Sequence, residues 1–313
     1  MSTWIENIKL EGDRTIWGIV FALSLFSLLV VYSTAGWHFL FSHFIKLLIG
    51  ICAMYIVHKI KFKYFSKLGQ LAYLSSLGLL ILVLIIGVSI NGASRWLTIA
   101  GLQFQPSDVA KLAILLYLAR QLSKQRNYLH QFKDLAWYVL GPLLLICLLI
   151  LPNNFSTAAL VFVNGFVLMI FGKIHYKFLL TIIAASLFGV GAIYFSGKYI
   201  PAFQDLVPRS VTWVSRIDGF LYPSEDHNKN EGHQLNESKV AIKNGGFLGK
   251  GPGKGIQRHF LFAGSSDFVY ALTIEQYGII FGGILPMLLY LLFYYRSIII
   301  SQRTESVFGS LMV

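Results

Sequence analysis

Long apolar runs separated by short polar segments dominate the chain from residue 16 onward. Most of these runs approach the roughly 20 residues that a helix needs to cross a bilayer. We therefore expect an all-α integral membrane protein, a polytopic helical bundle. The eight predicted spans are Ile16–Ser33, Phe39–Val57, Leu68–Ile90, Ser107–Leu122, Leu135–Leu151, Thr157–Phe171, Phe178–Phe195 and Phe268–Tyr294.

The spans divide the chain into three regions. Residues 1–196 contain spans one to seven, residues 197–266 form one large outer loop, and residues 267–313 contain span eight and a cytoplasmic tail. The loop includes a glycine run, GGFLGKGPGKG, which lacks the Ser or Thr that a Walker phosphate loop requires after Gly-Lys. A flexible hinge is the favoured interpretation of this run, and a backbone nest for pyrophosphate is the alternative.

Composition supports the membrane interpretation, with 56% hydrophobic residues, 13% charged residues and a mean hydropathy of +0.64. The net charge of +12 could indicate a nucleic-acid partner, but the positions of the basic residues indicate membrane topology instead. Loops on one side hold twelve basic residues, whereas the short loops on the other side hold only Arg95. This bias predicts a cytoplasmic N-terminus and no nucleic-acid partner. The first apolar run is expected to stay as a signal-anchor, because it lacks a small-residue cleavage site.

Charged side chains at the outer ends of two spans are the candidates for chemistry, because charges in or beside a bilayer are costly. Arg95, Asp108 and Lys111 surround the start of span four, and Asp267 opens span eight. Glu275 lies about 12 Å further along span eight at the rise of an α-helix, so it needs a partner or a cavity.

Each of these residues also has an ordinary structural interpretation. Asp267 could only cap a helix, because acids are common at helix starts. Lys111 lies within reach of the outer headgroups, and Arg95, followed by Trp96, could be an interfacial anchor. Sequence physics alone leaves these alternatives open.

Three segments resemble a known family. GASRW…FQPSDVAK is similar to GAxRW…FQPSExAK, the glycine-rich stretch from Gly232 to Gly251 fits an outer loop, and SDFVYALTIEQYG is similar to TDFIFAxxxEExG. These are features of the SEDS (shape, elongation, division, sporulation) glycosyltransferases FtsW and RodA, and the wording is slightly closer to FtsW. That family has ten spans, so the resemblance implies that this sequence is a fragment or a truncated product.

The resemblance implies that family members polymerise lipid II into glycan strands, with Asp267 at the position of the essential aspartate. In that role Asp267 would accept the proton of the acceptor hydroxyl as a general base. The expected substrate-binding residues are Arg95, Gln105, Ser107, Asp108, Lys111 and Arg216. Among the departures from the family pattern, Asp108 replaces Glu, Asn154 replaces an Asp found in many members, and Gln276 replaces the second Glu of the EE pair.

The resemblance also implies partners and a location. A divalent cation, Mg²⁺ or Mn²⁺, is expected near Asp108, where it would help to stabilise the leaving pyrophosphate. The expected partners are lipid II, a class B penicillin-binding transpeptidase, other divisome or elongasome proteins and membrane lipids. The expected location is the bacterial cytoplasmic (inner) membrane, which the chain crosses several times.

Two other functions compete with the enzyme. A lipid II flippase would use intramembrane charges such as Arg95, Lys111 and Glu275 to line a path. A non-catalytic scaffold of the cell-wall machinery is the third possibility. The outer position of Asp267 and Asp108 favours the glycosyltransferase.

Overall fold

The computed structural model describes residues 12–90, 93–99, 102–207, 209–221, 229–261, 264 and 266–313. These residues are mainly α-helical, with one small antiparallel sheet. The α-helices are α1 (Arg14–Ala35), α2 (Trp37–Lys59), α3 (Lys63–Ile86), α4 (Pro106–Lys124), α5 (Phe132–Leu135), α6 (Gly141–Ile150), α7 (Phe155–Phe171), α8 (Tyr176–Tyr199), α9 (Pro201–Leu206), α10 (Ser210–Leu221), α11 (Lys229–Gly245), α12 (Val269–Gly278), α13 (Leu285–Arg303) and α14 (Val307–Met312). The strands are β1 (Val88–Ile90), β2 (Ala93–Ile99) and β3 (Leu102–Phe104).

Two segments of π-helix join neighbouring helices. Ala136–Leu140 connects α5 to α6, and Ile279–Ile284 connects α12 to α13. A single 3-10 turn, Gln257–His259, lies in the outer loop. The predicted outer loop, residues 197–266, contains three α-helices, α9 to α11, among its described residues.

Each predicted span falls mainly on helix, which confirms a polytopic helical membrane protein, but the end of the third span, Leu68–Ile90, forms β1 instead. Within the described ranges, however, six helical segments rather than eight are long and apolar enough to cross a bilayer. The predicted fourth and sixth spans account for the difference. α7 has 17 residues and α4 combines 19 residues with four charged side chains, so neither satisfies length and apolarity together.

The chain folds into two compact units. The first contains Met1–Lys59 and Ser224–Ile300, and the second contains Ile60–Pro223 and Ser301–Val313. Each unit is therefore built from two segments that are distant in sequence. The division into residues 1–196, 197–266 and 267–313 follows the order of the chain and stays a prediction.

The second unit has α4 at its centre. Ala110, Ile114, Leu118 and Leu122 recur every four residues on one face of this helix, and all four are buried. They pack with apolar residues of α3, α6 and α7. One face of α4 is therefore buried in protein, which reduces the hydropathy that this helix needs within a membrane.

A three-stranded antiparallel sheet precedes α4 in the second unit. Val88 pairs with Trp96, and Leu97 pairs with Phe104. The all-α expectation missed this sheet because each strand has seven residues or fewer and the sequence lacks sustained alternation there. β2 packs on α3 and α4, which fixes its inward face on the helical core.

The predicted eighth span is not one straight helix. α12 ends at Gly278, whose φ of +77° lies in the left-handed region that favours glycine. Tyr270 Oη donates to Gly283 O at 3.2 Å, so the residues after the break pack beside α12 rather than extending it. A β-carbon at Gly278 would lie 2.2 Å from Phe247 O. The break therefore requires glycine.

Candidate functional site

Three arginines surround an open cavity of about 370 Å³ in the second unit. Arg95, Arg209 and Arg216 supply the charge, and no acidic side chain lies among its lining residues. Asn153, Ser156 and Thr212 add uncharged polar groups. A cavity with this composition is suited to bind an anion that carries more than one negative charge.

Arg95 reaches the cavity because of its position in β2. Side chains of a strand alternate between its two faces, so Arg95 and Leu97 share a face. Leu97 is buried, and β2 packs on α3 and α4. The guanidinium of Arg95 therefore points inward, whereas Thr98 on the opposite face is exposed. This inward position differs from that of an interfacial anchor.

The other two arginines are seven residues apart, two turns along one helical face. Arg209 precedes α10 and donates from Nη1 to Asn153 O at 2.7 Å, while Arg216 lies within α10. Trp213 is buried between them and packs against Phe155, with ring centroids 5.2 Å apart. This aromatic contact attaches α10 to the start of α7.

A polar cluster attaches α10 to the end of α8. Tyr194 Oη donates to Asp218 Oδ1 at 2.5 Å, and Lys198 Nζ lies 3.0 Å from Asp218 Oδ2. Lys198 also donates to Tyr194 Oη at 2.8 Å. Because Asp218 is two residues from Arg216, this cluster fixes the part of α10 that presents the arginine.

The N-terminus of α7 also lines the cavity. Asn154 caps this helix, because its Oδ1 accepts a hydrogen bond from Thr157 N at 3.2 Å. Many members of the resembling family have Asp here, and Asn performs the same capping role without a negative charge. The positive end of the helix dipole adds to the field of the arginines.

The arginines destabilise one another in the absence of an anion. Burial lowers the pKa of Arg95, and the positive charges of Arg209 and Arg216 lower it further. Arg95 Nε is buried without a hydrogen-bond partner among the described residues. A bound anion would satisfy that donor and relieve the repulsion between the three charges.

Gln105 and Ser107 line a small crevice of about 20 Å³ beside Arg95. Gln105 Nε2 donates to Ser107 Oγ at 2.6 Å, so these two side chains hold each other at the start of α4. Four predicted substrate-binding residues, Arg95, Gln105, Ser107 and Arg216, are therefore gathered around the cavity and its adjoining crevice.

Asp108 and Lys111 do not line this cavity. They form an ion pair with each other at 2.7 Å, three residues apart on α4. The described part of the chain contains no cluster of three or more His, Cys, Asp or Glu side chains that could hold a metal. Mg²⁺ is commonly held by one or two carboxylates together with waters and substrate phosphates, so the expected cation near the exposed Asp108 stays a prediction.

Asp267 belongs to the first unit, two residues before α12 begins. Its side chain is exposed, and no described residue forms a hydrogen bond or ion pair with its carboxylate. It does not act as the N-cap of α12, since Phe268 occupies that position without a side-chain hydrogen bond. The helix-cap interpretation of Asp267 is therefore wrong, and the carboxylate is available to a substrate.

Glu275 is completely buried in α12 and is held by Lys250 of the glycine run and by the two residues that directly follow the run. Ile256 N and Gln257 N donate to its carboxylate at 3.0 Å and 3.2 Å, and Lys250 Nζ lies 3.4 Å away. A β-carbon at Gly245 would lie 2.2 Å from Ile274 O, so the loop backbone lies directly against the helix. The run is therefore a packed segment rather than a flexible hinge. The anion beside it is the Glu275 carboxylate rather than a pyrophosphate.

Sequence reasoning missed Asn153, Arg209 and Trp213 as members of the site. The spacing of Arg209 and Arg216 on one helical face was available in the sequence, but α10 was not predicted. Asn153 enters through its backbone oxygen, for which the sequence carries no signal.

These features define a multi-pass helical membrane protein with a cationic cavity for an anionic substrate. The chain belongs to the FtsW/RodA/SpoVE family of cell cycle proteins, whose pattern it matches over residues 13–313. A relative from Geobacter sp. (strain M18), named as a probable peptidoglycan glycosyltransferase FtsW, is 29% identical over 318 residues. The alignment covers 96% of this chain and 82% of that relative.

Two solved structures share the fold. A chain from a peptidoglycan synthase complex that coordinates polymerization and crosslinking has a TM-score of 0.75 and 23% identity, covering 97% of this chain and 82% of that chain. The rod shape determining protein RodA of Thermus thermophilus has a TM-score of 0.65 and 20% identity, covering 97% and 80%. At these identities the likeness shows the fold alone.

Proposed function

We propose that this protein is a peptidoglycan glycosyltransferase that polymerises lipid II into glycan strands. Membership of the family and relatives that carry this activity in their names support the proposal. The observation that carries it is the acid-free cavity with three arginines, because the leaving group of this reaction is a pyrophosphate. The names of these relatives favour an FtsW-like role in division over a role in elongation.

In this proposal the arginine cavity binds the pyrophosphate of the donor. Arg95, Arg209 and Arg216 supply charge-assisted hydrogen bonds whose strength grows as negative charge develops on the leaving oxygen. Gln105 and Ser107 line the crevice beside Arg95 and offer uncharged polar groups to the substrate. Lys111 pairs with Asp108 and is not among the residues that line the arginine cavity.

Asp267 acts as the general base. The acceptor hydroxyl attacks the anomeric carbon of the donor, its proton passes to the Asp267 carboxylate, and the C–O bond to pyrophosphate breaks. An exposed carboxylate without a partner among the described residues is free to accept that proton. The proposed mechanism assigns no step to a divalent cation.

A flippase is the less favoured candidate. Its path would use charges within the membrane, and Glu275 was the deepest of them in the sequence. That carboxylate is enclosed by backbone N–H groups and by Lys250, so it is unavailable to a passing substrate. The exposed acid lies instead at the start of α12.

The proposal includes the location and partners that the family suggests. We place the protein in the bacterial inner membrane with a cytoplasmic N-terminus, on the bias of basic residues between spans. A class B penicillin-binding transpeptidase is the proposed partner, since a solved chain of this fold comes from a complex that combines polymerization with crosslinking.

The decisive experiment is lipid II polymerisation by the purified protein in detergent, which supports catalysis but not transport. The variant Asp267→Ala should polymerise lipid II at least roughly 100-fold more slowly than the parent protein, since general bases contribute that much or more to the rate. Asp205→Ala is the matched control, because Asp205 is another exposed acid of the outer loop and lies outside the arginine cavity.

Circular dichroism and thermal unfolding should show that both variants fold like the parent protein. Polymerisation by Asp267→Ala at the parental rate would refute the assignment of the base. Adding EDTA to the parent protein in the same assay tests the expected cation. A large loss of rate that Mg²⁺ restores would support it, and an unchanged rate would refute it.

A further inference from the structure

A second cationic cavity, of about 410 Å³, lies in the first unit between α1, α2 and the segment around Asp267. Lys46 and Arg258 provide its charge, and Thr34, Ser42 and His43 add polar groups. As in the arginine cavity, no acidic side chain lies among its lining residues. The mechanism proposed above assigns no role to this second cavity.

Lys46 is the most informative residue of this cavity. It is the tenth residue of α2, about 13 Å from the start of the helix and about 20 Å from its end, by the rise per residue. Both distances exceed the length of a lysine side chain, so snorkelling to an interface is not available. No described residue forms a hydrogen bond or ion pair with its ammonium, although an unpaired charge at this depth is costly.

Two neighbouring side chains of the cavity are held in place by α1. Arg258 Nη1 donates to Ser33 O at 3.3 Å, and His43 Nε2 lies 3.1 Å from Ser27 Oγ. Arg258 Nε is occupied by His259, which leaves the remaining guanidinium N–H groups for a ligand. The cavity therefore combines a fixed guanidinium with an uncompensated ammonium, the donors that recognise phosphate.

The apolar part of the lining indicates a membrane-anchored ligand. Val31, Phe39 and Leu272 line the cavity beside the charged groups, and α1 and α2 are membrane helices. A phosphate with a hydrocarbon chain satisfies both kinds of surface, whereas a free phosphate satisfies only one.

We propose that this second cavity, named here the Lys46 cavity, binds the pyrophosphate of the lipid-linked acceptor. The inference rests on the proposed function, because joining two lipid-linked substrates requires two places for pyrophosphate. Gly264 and Val269 line the cavity and flank Asp267 in sequence, so the proposed base and this cavity belong to one unit. The arginine cavity of the second unit then serves the donor.

The test counts bound undecaprenyl pyrophosphate by native mass spectrometry and equilibrium titration on the full chain in phosphatidylcholine nanodiscs. The parent protein should bind two equivalents. Lys46→Met should lose one equivalent, with at least roughly tenfold weaker affinity at that site, because a charge-assisted hydrogen bond is removed. Lys59→Met is the matched control on the same helix, outside the cavity, and should bind two.

Arg216→Gln separates this inference from the proposed function. It should remove the other equivalent and leave the Lys46-dependent one. Unchanged binding in Lys46→Met, with one equivalent lost in Arg216→Gln, would refute the acceptor site and retain the donor site. Full binding in Arg216→Gln would instead contradict the proposed donor cavity.

Two further arms identify the source of the phosphate. In phosphatidylglycerol nanodiscs the Lys46-dependent equivalent should persist, and its displacement would identify a phospholipid headgroup site and overturn the assignment. Inorganic pyrophosphate should compete weakly, since it lacks the hydrocarbon chain. In the polymerisation assay, Lys46→Met should raise the KM for lipid II about tenfold and change kcat less.

Discussion

At the scale of single residues, the balance of charge distinguishes groups prepared for a ligand from groups already satisfied. Arg95 has a buried N–H without a partner among the described residues, and Lys46 has no acidic neighbour in its cavity. Glu275 is the opposite case, because its carboxylate accepts two backbone N–H donors and faces Lys250. An unsatisfied buried donor is costly, so Arg95 favours a bound anion, and the uncompensated ammonium of Lys46 within a membrane helix favours one as well.

Glu275 should contribute to stability rather than to chemistry. Glu275→Gln removes the charge facing Lys250 and one strong acceptor, and we expect a loss of about 2 kcal/mol, because Lys250 is partly exposed and one acceptor remains. Thermal unfolding in detergent measures the loss.

Glu237→Gln is the control for this prediction, since Glu237 forms only a 3.8 Å pair with His233 and should change stability by less than about 0.5 kcal/mol. Faster hydrogen exchange at Ile256 and Gln257 in Glu275→Gln alone would identify the lost contacts. Equal stability of the two variants would contradict the role of Glu275.

At the scale of elements, the position of α10 depends on contacts at both of its ends. The Phe155–Trp213 contact attaches it to α7, and the cluster of Tyr194, Lys198 and Asp218 attaches it to α8. Because Arg209 and Arg216 occupy one face of this segment, a small rotation of α10 would move both arginines away from Arg95.

Asp218→Ala should therefore weaken binding of the donor, although Asp218 does not line the arginine cavity. We expect about 1 kcal/mol of lost stability from the missing hydrogen bonds, and a several-fold higher KM for lipid II. Asp218→Asn keeps an acceptor for Tyr194 and should recover part of the loss. If both variants bind undecaprenyl pyrophosphate like the parent protein, then the cluster does not position the arginines.

At the scale of the whole molecule, the first and last membrane helices of the first unit are joined by an ion pair. Asp13 caps α1 through hydrogen bonds from Thr15 N and Ile16 N, and it also pairs with Arg296 of α13. Burial by itself raises the pKa of Asp13, but these hydrogen bonds outweigh burial, so the net pKa is lowered.

This shift gives stability a defined pH dependence. The stabilising contribution of Asp13 is fully present above its unfolded pKa of roughly 3.9, and it is lost as pH falls through the lower folded pKa. The Tm of the parent protein should fall as pH drops below about 4, and part of that fall should be absent in Asp13→Asn, which still caps the helix. Identical pH profiles would exclude the contribution.

The sequence by itself determined that the protein is a helical membrane protein and which charged side chains are candidates for function. Apolar runs of nearly 20 residues identify helices because a bilayer core admits few other structures, and this held even for α4 and α7, which fail the length or apolarity of a full span. The scarcity of charged residues also indicated Arg95, Glu275 and Asp267 as important positions, since a charge in or beside a bilayer is costly unless a structural or functional role compensates for it.

Only the tertiary structure decided which of those charges meet. Arg95 and Arg216 are brought together from β2 and α10, elements far apart in sequence, and no periodicity encodes that contact. The same holds for the glycine run, which the sequence favours as a hinge. Its packing against α12 became visible only with Glu275, whose carboxylate accepts hydrogen bonds from Ile256 N and Gln257 N directly after the run. Hydropathy depends on each residue and its near neighbours, whereas a binding site depends on packing between distant segments.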